Sequence, residues 1–152
     1  MKLLGSISID APQESVFDLV ADPDRRGEWA KGMIEMRYTS EFDPQNPVGA
    51  EFMQRIKEGG RETEYSGVVT AYDRPNLLVS KITGGGFTMD LEYRLASSGG
   101  GVIVENSVAL VSESRVAKVM GVLFGWLTRQ IARKQLKRLK AIAESEAESP
   151  AG

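Results

Sequence analysis

Six polar side chains recur at strand spacing among mostly apolar neighbours: Tyr38, Gln54, Tyr65, Ser80, Tyr93 and Asn106. Strand residues two apart share a face, so even alternation points all six toward a core. A buried phenol, amide or hydroxyl without a partner costs about 1–3 kcal/mol. Several on one face therefore suit enclosed water or an oxygen-bearing ligand. The chemistry on offer is hydrogen bonding rather than nucleophilic attack, because the chain has no histidine and no cysteine. That removes Ser-His-Asp and Cys-His triads, disulfides, zinc fingers and His-ligated metals. Acid–base work would fall to Asp, Glu, Lys or Tyr. The strand acids Glu62, Glu64, Asp90, Glu92 and Glu105 alternate out of phase with the six and face away. Only a one-residue register slip would turn Glu64 or Glu105 inward. No catalytic residue, metal site or cofactor is expected: EF-hand spacing is absent. Gly84-Gly85-Gly86 lacks a following Lys-Ser/Thr and opens a strand, so it reads as a hairpin turn.

Apolar residues complete the expected binding set. Phe52 and Met89 share the inner faces. Trp29 ends a short helix, where it either shapes a pocket entrance or packs the helices together. Met120, Leu123, Phe124 and Leu127 lie in a segment, Val119 to Leu127, that is apolar all round. A helix exposed on one side is not apolar all round, so both sides need cover. One is the sheet. The other is the Asp22–Gly32 region with a ligand portal, a second copy of the chain, or a membrane. Gly121 and Gly125 then make room for a ligand or a neighbouring strand.

The elements that position these residues follow from periodicity. Leu3 to Ile9 alternate as a half-buried strand. Asp10 is placed to cap a short helix with Pro12 at its start, and Asp22 a second through Trp29. Six strands follow, with inner faces Ile34-Met36-Tyr38, Phe52-Gln54-Ile56, Thr63-Tyr65-Gly67-Val69-Ala71, Leu78-Ser80-Ile82, Phe87 to Leu95, and Val102 to Leu110. Short turns between them imply antiparallel pairing. A long helix runs from about Ser114 to Glu144, with Ile131, Gln135, Leu139 and Ile142 along one side. The domain is expected over residues 1–144, with 145–152 a disordered tail. The fold class is α+β: a curved antiparallel sheet of about seven strands wrapped around the long C-terminal helix, with two short helices after strand 1. One helix cannot fill such a sheet, which leaves volume for a ligand.

The chain has 152 residues, with 41% hydrophobic and 26% charged. That is one domain, burying roughly 70% of its unfolded surface. No signal peptide opens it and no apolar stretch spans a bilayer, so a cytoplasmic location is expected. Eight Lys/Arg and no acid fall between Arg115 and Lys140, while the rest carries eleven bases against twenty-one acids. This asymmetry suits a solvated helix face or peripheral contact with an acidic membrane or protein. An acidic chain without an RNA-binding signature argues against nucleic acid.

The run Ile7-Ser8-Ile9-Asp10-Ala11-Pro12-Gln13-Glu14-Ser15-Val16-Phe17, then Asp22-Pro23 and Glu28-Trp29, resembles the opening of START-like proteins. It is most similar to the polyketide cyclase/dehydrase and lipid-transport group, often called SRPBCC. Val69-Thr70-Ala71-Tyr72-Asp73-Arg74-Pro75, the glycine turn before Val102 and the long final helix extend the likeness from Leu3 to about Ala143. The resemblance implies a helix-grip fold like that of the major birch pollen allergen, with a pocket between sheet and long helix. The function expected is binding or transport of a small hydrophobic ligand, lipid-, isoprenoid- or polyketide-like, by a monomer or homodimer. The alternatives are a polyketide cyclase/dehydratase, or a module docking through its basic helix.

Overall fold

A computed structural model describes residues 1–148; residues 149–152, and the side chains of residues 58, 113, 116–124 and 126, lie outside the described residues. The chain runs β1 (Lys2–Ile9), α1 (Gln13–Ala21), α2 (Pro23–Trp29), β2 (Met33–Tyr38), β3 (Glu51–Glu58), β4 (Arg61–Asp73), β5 (Leu77–Gly84), β6 (Phe87–Ser98), β7 (Gly101–Glu113) and α3 (Arg115–Glu148). The strands form one antiparallel sheet in the order β1-β7-β6-β5-β4-β3-β2. Strands β2 to β6 each pair with the next in sequence, and β1 joins β7 at the far edge. This is the expected α+β helix-grip architecture.

The two faces differ in chemistry. Glu35 pairs with Arg37 and Arg55, Asp90 with Lys81, and Glu92 with Arg94 on the convex side. The concave side carries Val69, Ile82, Tyr93, Leu95, Val102 and Val104, all buried. An apolar face needs a cover, and α3 with α1 and α2 supplies it.

The helix α3 approaches the edge strand β1 closely where Gly5, without a side chain, receives Leu136. A Cβ at Gly5 would sit 3.0 Å from Leu136 Cδ1, and the buried stripe of α3 is Ala132, Leu136, Leu139 and Ala143. The expected stripe through Ile131 and Gln135 is therefore rotated, with Ile131 left 46% exposed. The helix also outruns its expected end at Glu144. Residues 145–148, assigned to a disordered tail, continue it, and Glu146 pairs with Arg25 of α2.

Three local expectations are corrected. Pro12 is itself the cap position of α1, without a side-chain bond; the Asp10 backbone N–H instead donates to Glu144 at 2.8 Å. A register shift between Met33 and Glu35 turns Met33 into the core and leaves Ile34 exposed. A second shift between Val69 and Ala71 sets Tyr72, not Ala71, opposite Leu78 on the inner face. There its ring meets Phe17 edge-on at 5.4 Å. A bulge inserts one residue and reverses every later side chain, which alternation alone does not reveal.

Candidate functional site

The short helix α2 is set by Asp22, whose carboxylate accepts the Asp24 N–H at 2.9 Å, and by Pro23 at its first position. Residues three apart on a helix share a face, so Arg26 and Trp29 both turn inward. Arg25, about 100° round, turns outward to Glu28 and Glu146. Trp29 is fully buried, and its Nε1–H donates to the Leu19 carbonyl at 3.0 Å. Its ring meets Tyr93 of β6 edge-on, with centroids 5.8 Å apart. The Arg26 guanidinium lies over both rings, 4.9 Å from Trp29 and 5.3 Å from Tyr93.

Arg26 is only 8% exposed, and its Nε is buried without a hydrogen-bond partner. Among the described residues no carboxylate lies within ion-pair distance of it. A buried, unpaired charge costs several kcal/mol, while each cation–π contact returns about 0.5–2 kcal/mol. The two rings offset part of the cost and leave Nε unsatisfied. Burial pushes the Tyr93 phenol above its usual range, outweighing the pull of the neighbouring guanidinium. Tyr93 is therefore a neutral O–H donor at physiological pH. Tyr38 is pushed up the same way, by burial first and by Tyr72 second, with Arg26 again opposing.

The expected binding residues divide by position. On the concave face, Phe52 and Tyr65 lie flat over glycines of the neighbouring strand. A Cβ at Gly67 would sit 2.5 Å from Phe52 Cε2 and 2.7 Å from Cε1, and one at Gly84 2.5 Å from Tyr65 Cδ1. Gln54 sits opposite Tyr65, and Tyr93 opposite Asn106. Asn106 Nδ2 donates to the Glu92 carbonyl at 3.2 Å, which commits it to the sheet. Gln54 and Ser80 are buried on the same face. Met89 is half-buried against the core. Tyr38 sits at the rim, its ring 4.0 Å from that of Phe42. With Phe42, Tyr72, Asp18 and Asp22 it lines an outer cleft of about 520 Å³. Leu127 is 39% exposed on α3. Met120, Leu123 and Phe124 lie outside the described residues, as does Gly121. A Cβ at Gly125 would meet nothing within 4 Å, so no described strand crowds that turn of α3.

Part of the basic half of α3 has a different setting. Arg129, Arg133 and Lys137 flank a cleft of about 530 Å³ against Leu3, Leu4 and Ile7 of β1. Arg26 is the residue that sequence reasoning passed over, since a short helix rich in charge reads as a solvated surface. Its spacing of three from Trp29 was the available signal. Arg25, three before Glu28, already has an outward partner, which leaves Arg26 on the tryptophan's side.

Comparison with known proteins agrees with this geometry. The family model described as "Polyketide cyclase / dehydrase and lipid transport" matches residues 2–144. No curated protein matches the sequence. Among solved structures, protein CV1439 from Chromobacterium violaceum is 19% identical with a TM-score of 0.66, covering 92% of this chain and 95% of that one. Ara h 8.0201 is 13% identical with a TM-score of 0.67, covering 93% and 95%. The di-domain ARO/CYC StfQ from the steffimycin biosynthetic pathway is 13% identical with a TM-score of 0.70; the match covers 95% of this chain and 45% of StfQ. At these identities the structures share the fold alone. With its sheet, grip helix and family match over nearly its whole length, the chain belongs to the polyketide cyclase/dehydrase and lipid-transport family.

Proposed function

We propose that this protein binds or carries a small hydrophobic molecule, lipid-, isoprenoid- or polyketide-like, in the concave space between the sheet and α3. The observation that carries the reading is a guanidinium buried among aromatic walls, Arg26, whose Nε has no hydrogen-bond partner, on a concave side that also buries the polar residues Gln54 and Ser80. In a core evolved only for packing, a buried N–H of this kind is hydrogen-bonded. A bound molecule with an apolar body and a polar end satisfies it, driven by roughly 25 cal/mol per Å² of apolar surface removed from water. Binding without chemistry is favoured because Asp90, Glu92 and Glu105 stand on the convex face, away from this space. The test is titration with the neutral dye N-phenyl-1-naphthylamine. Saturable fluorescence enhancement, reversed by dodecanol, is expected. A wild-type protein that gives no saturable enhancement refutes the reading.

A further inference from the structure

We propose that Arg26 is the receptor for a carboxylate, so that the ligand is an apolar acid held head-down against α2; this rests on the binding function proposed above. Three observations converge on it. Arg26 is more than nine-tenths buried, and its Nε–H has no acceptor. Its aromatic neighbours, Trp29 and Tyr93, have ring centres 4.9 and 5.3 Å from the guanidinium carbon and leave Nε without an acceptor. The acid on its own helix that could reach it, Asp22, is bonded to the Asp24 N–H and lies beyond ion-pair distance. An arginine carries five donors in a planar fork that fits a carboxylate with two parallel hydrogen bonds. Nε–H is the donor left free.

Charge balance narrows the head group. A single carboxylate neutralises the guanidinium, whereas a doubly charged phosphate would leave one negative charge buried and unpaired. The protonated Tyr93 hydroxyl stands beside the cation as a further donor to the same anion. Gln54 and Ser80, farther along the concave face, remain for a second oxygen on the ligand body. The family match does not specify this residue's role; the inference comes from its burial and its missing partner.

The experiment is competition against bound N-phenyl-1-naphthylamine by dodecanoate and by dodecanol, which differ in the head group. Wild-type protein should release the dye at roughly tenfold to a hundredfold lower dodecanoate than dodecanol, the range expected for a buried charge-assisted pair. Arg26→Met should erase that preference. Arg26→Lys, which keeps the charge but loses the fork, should retain only part of it. If dye binding persists but wild type shows no preference, or if Arg26→Met keeps it, the carboxylate assignment is overturned while the binding function stands. Absence of dye binding by wild type overturns both. Should Arg26→Met fail to fold, the wild-type Arg26 Nε–H resonance decides. It should move downfield with dodecanoate and stay with dodecanol; a resonance indifferent to dodecanoate refutes the proposal.

Discussion

Replacing Gly67 with alanine tests how the floor of the concave face is built. The added methyl carbon would stand 2.5 Å from Phe52 Cε2 and 2.7 Å from Cε1, against an ordinary carbon–carbon contact of about 3.5–4.0 Å. The ring must withdraw by roughly 1 Å or more to restore that contact. Backbone pairing of Phe52 with Gly67 and with Tyr38 holds its Cα on both sides, so the ring lifts into the concave space. Overpacking of this kind costs about 1–3 kcal/mol. For a domain of this size each kcal/mol lowers Tm by about 2–4 °C, so a drop of several degrees is expected. Dye affinity should fall with it, because the displaced ring enters the proposed binding volume. Phe52→Leu, which removes the distal ring atoms, should relieve the clash. The double variant should then be more stable than the summed single losses by about 1 kcal/mol or more. The assay is urea denaturation of the four proteins. Additivity within about 0.5 kcal/mol, or an unchanged Tm for Gly67→Ala, would show that the ring does not lie over this glycine.

Trp29→Phe removes the Nε1–H that satisfies the Leu19 carbonyl and shortens the ring that abuts Tyr93. A loss of about 2–4 kcal/mol is expected from the orphaned carbonyl and the vacated volume, read by denaturant midpoint; a loss under 0.5 kcal/mol would deny Trp29 its packing role. The clamp at the end of α3 makes stability acid-sensitive. Hydrogen bonds from Arg25 hold Glu28 and Glu146 below the usual carboxylate range, and those from Lys140 and the Asp10 amide do the same for Glu144. A depressed folded-state pKa adds stability above the unfolded value of 4.5, and that stability is lost as pH falls through the lower folded values. Tm should therefore hold from pH 7 to about 5 and decline below pH 4.5, with a shallower decline for Arg25→Gln; an identical acid limb in that variant would remove the clamp from the explanation.

The order and number of elements were legible in the sequence because they are local. Alternation marks each strand, the long proline-free run after Ser114 marks α3, and Asp22-Pro23 marks the start of α2. The concave orientation of Gln54, Tyr65, Tyr93 and Asn106 was legible for the same reason, since no bulge intervenes within their strands near them. What alternation cannot show is an inserted residue, and so Met33 and Tyr72 rather than Ile34 and Ala71 face the core. Nor does it show how close two elements come. Leu136 against Gly5 rotates α3 so that alanines rather than Ile131 are buried, a choice made by steric fit between segments 130 residues apart. The state of Arg26 is the clearest case. Its type and spacing say only that it lies on the tryptophan's side of a short helix. Whether that side meets water or an aromatic wall depends on where β6 and α3 are laid across it. A charge gains or loses its partner through that three-dimensional placement alone, and there Arg26 is left with two rings and, among the described residues, no acid.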